Sequence, residues 1–256
     1  MNFSRVIVTG GSGGIGGAIA ARLASRGASI VNLDVRPGPA NPAVETLITD
    51  VADAAAIEAS FAAIDKVFDG HAPDLFVGCA ALSRASHVLD VPADELDLQF
   101  AVNVRGLYLC AQAAARRMAK SVGGSMVFIS SVAAEQAWVS ESVYCLTKAA
   151  TRAMMQSFAV ELAPYRIRVN CVAPGLIDHN ANAMAATRTD PEILRHELER
   201  TPMGRFGSPD EVAEAVEMIA SATWATGTTF TVDGGYMATG LGLFGSARDN
   251  RLARTL

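Results

Sequence analysis

The chain holds 256 residues, half of them hydrophobic and 18% charged, with a formal net charge of −5. Such a length and apolar content suffice for one well-cored domain and exclude intrinsic disorder. No strongly basic block and no apolar run of membrane-spanning length occurs, which argues against nucleic acid or membrane as partner.

In chain order, β-branched runs alternate with longer Ala-rich segments. The pattern predicts strands at Val6–Thr9, Ser29–Leu33, Glu45–Thr49, Leu75–Cys79, Ser125–Ile129, Arg168–Val172 and Thr228–Val232. Between them it predicts helices near Ile15–Ser25, Ala54–Phe68, Ala93–Ala119, Val143–Leu162 and Pro209–Ala220. This alternation implies a parallel sheet with helices on both faces, a three-layer, doubly wound α/β sandwich. No repeat or dividing linker is seen, so residues 1–256 read as a single domain. The segment 177–205 follows the Pro174-Gly175 turn, is rich in polar residues and reads as a lid over a ligand crevice. The tail 236–256 ends on Arg248, Arg251 and Arg254, and either frays or packs on a neighbouring subunit.

Met1 to Arg5 runs into the first strand without an apolar leader, so a cytoplasmic chain is expected. Cys79, Cys110, Cys145 and Cys171 sit in apolar runs without a CxxC pattern and read as free thiols. The four histidines show no ligand spacing, and no metal site is expected.

The loop Gly10-x-x-x-Gly14-x-Gly16 joins the first strand to the first helix. Glycines there let the backbone approach a pyrophosphate, and the free N–H groups of a helix N-terminus favour negative charge. Asp34 ends the second strand 18 positions after Gly16, near the offset expected of a carboxylate on an adenosine ribose. Together they point to dinucleotide binding.

Tyr144 and Lys148 carry the second signal. With four tyrosines and three lysines in the chain, chance would put a lysine four places after some tyrosine with a probability of about 0.05. On a helix that spacing puts both side chains on one face, and an ammonium beside a phenol favours phenolate. A surface pair contributing a few tenths of a kcal/mol is the plainer reading.

Taken together, these residues resemble the short-chain dehydrogenase/reductase family, whose fold is Rossmann-like with a seven-stranded parallel sheet. The resemblance runs from Val6 to about Gly235. It rests on the glycine loop, Asp50-Val51, Asn103-Val-x-Gly106, Ile129-Ser130-Ser131, Tyr144-x-x-x-Lys148, Pro174-Gly175 and Val232-Asp-Gly-Gly235. It implies that Ser131 holds the substrate oxygen, Tyr144 exchanges a proton with it, and Lys148 lowers the tyrosine pKa and binds the nicotinamide ribose. Asn103 matches the asparagine whose helix distortion holds a relay water. The implied cofactor contacts are Gly10, Ser12, Gly13, Gly14, Ile15, Gly16, Asp34, Asp50, Val51, Cys79, Ala80, Ala81, Pro174, Gly175 and Ile177, besides Asn103, Tyr144 and Lys148. Each has a bland alternative: Ser130 or Ser131 could end a strand, Asn103 could be satisfied locally, and Asp50 could cap the helix near Ala54.

Two departures from the family pattern stand out. Gly78-Cys79-Ala80-Ala81 replaces the usual Asn-Asn-Ala-Gly, which predicts a looser loop, and His179 stands where a threonine is usual. The resemblance implies an NAD-dependent alcohol dehydrogenase or ketoreductase, forming homotetramers through its two long helices. NAD is expected over NADP because Asp34 would repel a 2′-phosphate; Gly13 agrees and Arg36 opposes. Substrate contacts are expected from Ser131, Tyr144, Trp138 and His179, within a pocket that also holds Ser83, Arg84, Glu135, Asn180 and Asn182. That polar mix suggests a sugar, polyol or hydroxy acid. The competing readings are an idle dinucleotide-binding protein, an enoyl reductase, whose tyrosine and lysine stand seven apart where this chain has Thr151, and an epimerase-like relative.

Overall fold

The computed structural model describes residues 3–38, 40–178 and 190–239. Its strands are β1 Arg5–Thr9, β2 Ser29–Asp34, β3 Val44–Ile48, β4 Leu75–Gly78, β5 Gly124–Ile129, β6 Ile167–Pro174 and β7 Thr229–Val232. All pair in parallel in the order β3-β2-β1-β4-β5-β6-β7. The seven strands are those the sequence predicts, with ends shifted by a residue or two.

The central strands are apolar on both sides because both sides are covered. Ile7, Val31, Leu33, Phe76, Met126 and Phe128 enter one core with Phe61 and Ile64 of α2 (Ala54–Val67) and Met155 and Phe158 of α5 (Ser142–Leu162). Their strand neighbours Val6, Val8, Ile30, Leu75, Val77 and Val127 enter a second core with Ile19 and Leu23 of α1 (Gly14–Ser25). Val212, Val216 and Ile219 of α7 (Pro209–Ser221) join that second core. Alternation by two along each strand therefore feeds two opposite helix layers.

The predicted helix Ala93–Ala119 is not continuous. It comprises α3 (Ala93–Phe100), a π-helical turn at Ala101–Gly106 and α4 (Leu107–Met118). A second difference lies within the segment read as a lid, where Pro191–Arg200 forms α6. Its start is signalled chemically: Asp190 accepts hydrogen bonds from the N–H groups of Glu192 and Ile193, and Pro191 takes a position whose N–H would be unpaired.

β1 lies between β2 and β4, so the winding of the chain reverses there. The crevice beyond the carboxyl ends of β1 and β4 is where such sheets bind ligands. Among the described residues no helix is long and apolar enough to cross a membrane.

Candidate active site

At the end of β1, Gly10 turns with φ +74°, and a Cβ there would lie 2.8 Å from the Ala80 backbone. Gly16, in the first turn of α1, packs its bare Cα side against the Gly10 carbonyl; any Cβ would collide with it. Loop and helix are thus held closer than side chains allow, and the first N–H groups of α1 face an exposed Gly13 and Gly14. This cradle fits a dinucleotide pyrophosphate.

Residues the sequence reading passed over hold that cradle in shape. Asn32, fully buried in β2, accepts from the Gly11 N–H at 2.6 Å and donates to the Ser12 hydroxyl at 3.0 Å. Its signal was a lone amide inside an apolar strand. Thr9 Oγ1 accepts from the N–H groups of Cys79 and Ala80, each at 3.0 Å. The segment with the two missing family amides is therefore tied to β1 by Thr9, and the expected loosening is offset.

Asp34 sits at the mouth of the cradle. Its carboxylate accepts from the N–H of Ser12 at 3.0 Å and from that of Arg36 at 3.0 Å. Arg36 Nε lies 3.8 Å from the same carboxylate, on a side chain that is 71% exposed. Asp50 accepts from the Ala52 N–H at 2.8 Å, while Asp53, not Asp50, caps α2. Val51 is buried against Gly106. Across the crevice, Gly175 donates to the Val232 carbonyl at 2.9 Å, next to buried Pro174, and buried Ile177 bridges to Gly207.

The end of β5 and the start of α5 bring the chemistry together. Ser131 hydrogen-bonds the Tyr144 phenol and accepts from the Ala133 N–H at 3.1 Å. Lys148, 4% exposed, donates from Nζ to the Ile129 carbonyl at 2.9 Å, and that Nζ lies 5.4 Å from the Tyr144 ring centroid. Ser130 donates to the Lys148 carbonyl at 3.1 Å. Strand end and helix are so pinned together at Ser130, Ser131 and Lys148.

Asn103 explains the π turn. Its side chain accepts from the Leu82 N–H and donates to the Leu82 carbonyl, both at 2.8 Å, and donates to Thr147 Oγ1 at 3.0 Å. The widened turn aims one buried amide at the β4 loop and at α5 together.

Burial holds the Tyr144 phenol above its ordinary range, opposed by the Ser131 hydrogen bond and reinforced by the charge of Glu141. Burial also lowers the Lys148 ammonium to about 8. Lys148, expected to lower the tyrosine, keeps its Nζ over the Tyr144 ring while donating to the Ile129 carbonyl, and Ser131 opposes the effect of burial. Burial likewise raises the Cys79 thiol to about 11.

Of the expected substrate contacts, Trp138 joins Val132, Leu176 and Tyr236 in a small apolar cluster beside Ser131. Glu135 pairs with Arg152 at 3.1 Å, and Arg84 with Glu95 at 2.9 Å. Ser83 donates to Glu141 at 2.5 Å, a partner the sequence reading did not name. His179, Asn180, Asn182 and the tail beyond 239 lie outside the described residues. Tyr236 is only 1% exposed, so the tail begins inside the fold.

A glycine cradle at the strand-order reversal, facing a buried serine and lysine with a partly buried tyrosine between them, defines a dinucleotide-dependent oxidoreductase. A family model described as "Enoyl-(Acyl carrier protein) reductase" matches residues 10–237. L-xylulose reductase of Mesocricetus auratus is 33% identical over 245 residues, 92% of this chain and 97% of that protein. L-rhamnose 1-dehydrogenase (NAD(P)(+)) of Sphingomonas sp. (strain SKA58) is 35% identical over 246 residues, covering 90% and 94%. The ligand-free aldohexose dehydrogenase of Thermoplasma acidophilum superposes with a TM-score of 0.85 at 31% identity, over 92% and 94% of the two chains. The chain belongs to the short-chain dehydrogenase/reductase family. It is an oxidoreductase of alcohols or ketones that uses a nicotinamide dinucleotide.

Proposed function

We propose that this protein interconverts a secondary hydroxyl and a ketone on a small sugar or polyol, with NAD as the preferred cofactor. The observation that carries the reading is the partly buried Tyr144, its phenol hydrogen-bonded to Ser131 and one helical turn from buried Lys148. The matched relatives and the superposed structure include proteins named for L-xylulose, L-rhamnose and aldohexose, which favours a sugar-like substrate.

When bound, the dinucleotide supplies hydride acceptance and donation at its nicotinamide ring. The chain supplies the proton. Ser131 and Tyr144 hold the substrate oxygen from two sides, and Tyr144 gives its phenolic proton to a carbonyl or takes one from a carbinol. Lys148, which donates to the Ile129 carbonyl, would hold the nicotinamide ribose hydroxyls, while Asn103 keeps the β4 loop and Thr147 in register. Gly10, Ser12, Gly13, Gly14, Ile15 and Gly16 would hold the pyrophosphate, and Asp34 the adenosine ribose. Asp50, Val51, Cys79, Ala80 and Ala81 would border the adenine and ribose, and Pro174, Gly175 and Ile177 the carboxamide side.

The single domain, the lid at 177–205 and a homotetramer are part of the same proposal. The last draws on an apolar face: Tyr108 of α4 and Leu146 and Val160 of α5 are 43%, 57% and 78% exposed. Beside it lies an open cavity of about 590 Å³ bordered by Phe100, Val104 and Tyr108. Sedimentation at micromolar concentration that finds only monomers would overturn the assembly.

An enoyl reductase is disfavoured by position 151, where Thr151 is 1% exposed and bonded to the Thr147 carbonyl. An idle protein is disfavoured by the intact serine–tyrosine–lysine geometry. The deciding experiment is reduced-cofactor formation across secondary alcohols, pentitols, aldoses and hydroxy acids. Cofactor binding with no turnover of any of them would favour the idle reading.

A further inference from the structure

Glu141 is the charged group nearest to the catalytic tyrosine that the chemistry above does not use. It stands immediately before α5 as its N-terminal flanking residue, three positions ahead of Tyr144. Its charge is felt at the Tyr144 phenol. The side chain does not cap the helix; it turns to the β4 loop, where the Ser83 hydroxyl donates to it at 2.5 Å. Ser83 is fixed in turn, because the residue before it, Leu82, has both its N–H and its carbonyl bonded to Asn103. The loops meet again where the Ser86 N–H donates to the Ser140 carbonyl at 2.8 Å.

An ionised carboxylate only accepts hydrogen bonds and has about four lone-pair positions. Ser83 occupies one of them. Burial raises this carboxyl, whereas the Ser83 hydroxyl and the adjacent N-terminus of α5 favour its anion. The two arginines of the same wall are already committed, Arg84 to Glu95 and Arg152 to Glu135.

Resting on the alcohol–ketone reading of Ser131 and Tyr144, the geometry points to Glu141 as the residue that selects a neutral vicinal polyol, its carboxylate accepting a hydrogen bond from the hydroxyl beside the reacting carbon. A monofunctional alcohol offers that carboxylate nothing. A hydroxy acid brings a second negative charge against it, a repulsive element that separates polyols from hydroxy acids. The substrate class therefore narrows from sugar, polyol or hydroxy acid to neutral polyols and their ketoses.

The test compares kcat/KM of the full-length wild type, Glu141→Gln and Ser83→Ala on xylitol, 2-butanol and 3-hydroxybutyrate. Wild type should prefer xylitol over both others. A charge-assisted bond of this kind accounts for ~10- to 100-fold, so Glu141→Gln should reduce the xylitol:2-butanol ratio at least ~10-fold and raise the hydroxybutyrate:xylitol ratio. Ser83→Ala, which keeps the charge but frees the side chain, should reduce the first ratio less. A thermal melt accompanies each variant, and because the readout is a ratio within one preparation, partial misfolding does not alter it. Turnover of 2-butanol with no preference for xylitol, or equal loss on both alcohols in Glu141→Gln, overturns the assignment of Glu141 alone. No turnover of any alcohol by wild type overturns the reading on which it rests.

Discussion

Cofactor choice turns on two opposite charges that the fold brings to one place. A 2′-phosphate on the adenosine ribose would meet both Asp34 and Arg36, whose Nε and carboxylate are 3.8 Å apart. At about 4 Å two unit charges interact by ~4 kcal/mol at an effective dielectric of 20 and ~1 kcal/mol in water. The Asp34 side chain is 6% exposed and that of Arg36 71%, so repulsion acts through the lower dielectric and attraction through the higher. Arg36 must also be ordered to bind, whereas Asp34 is already fixed by two backbone N–H groups. Wild-type kcat/KM should favour NAD by at least ~10-fold, ~1.4 kcal/mol. Arg36→Ala should move that ratio by less than ~5-fold, as for an exposed pair. Asp34→Ala should collapse it from both sides: NAD loses its ribose acceptor, and the freed N–H groups of Ser12 and Arg36 become donors for phosphate. Asp34→Asn, uncharged but still an acceptor, should fall between. The assay is initial-rate kinetics with both cofactors at a saturating alcohol. Equal use of both by wild type, or a ratio indifferent to Asp34→Ala, refutes the reasoning.

Four further outcomes are expected. Tyr144→Phe should lower kcat by ~10²–10⁴-fold with dinucleotide affinity nearly unchanged by titration; a loss under ~10-fold would remove Tyr144 from proton transfer. Alcohol oxidation needs phenolate, and burial and Glu141 raise the Tyr144 pKa; kcat for oxidation should therefore climb with pH into the alkaline range. Glu141→Gln removes a raising charge and should shift that limb to lower pH, and an upward shift would contradict the geometry. Gly16→Ala should abolish dinucleotide binding because its Cβ meets the Gly10 carbonyl; Gly17→Ala, with only ordinary contact at 3.5 Å, should raise the melting temperature instead. Burial raises the Cys110 and Cys171 thiols from 9.0 to about 12. Folded-state pKa values above the unfolded ones give stability that is complete below pH ~9 and lost as pH rises toward 12, against an opposite contribution from Lys148 between about 8 and 10.5. Melts from pH 8 to 11 should show falling stability, less steep in Cys171→Ala.

The sheet was legible because its strands are buried on both faces, and a two-sided strand is a continuous β-branched run that periodicity finds. Val6, Ile7 and Val8 illustrate this, each fully buried, two toward one core and one toward the other. The π turn was not legible in the residue pattern, and only the family resemblance, through Asn103, implied a distortion there. Val102, Asn103, Val104 and Gly106 are weak helix formers, but that alone does not specify a π turn, and the long-range bond from Asn103 to Leu82, 21 positions back, accounts for the extra residue. Helix α6 was missed for a different reason. Half of its residues are charged and none is buried, so little apolar stripe exists to find, although the Asp190-Pro191 start was readable. Chemistry-bearing residues at fixed spacing, such as Tyr144 and Lys148, are visible in one dimension, whereas Asn32, Thr9 and Glu141 act on partners 21, 70 and 58 positions away.

That distinction matters most at Tyr144. Spacing alone assigned the tuning of its proton to Lys148, four residues on. In the folded chain the ammonium donates to the Ile129 carbonyl and lies over the Tyr144 ring, and Ser131, 13 positions earlier, and Glu141 bear on the phenol as well. The protein's own field leaves the tyrosine protonated at neutral pH. A protonated phenol held against Ser131 is ready to donate to a carbonyl, so ketone reduction needs no prior ionisation. Oxidation does need it, and positive charge brought near the phenol is what would favour it: Lys148 released from Ile129, or an oxidised nicotinamide ring. The same residues therefore serve both directions, with the charge state of the crevice deciding which one is easy at a given pH.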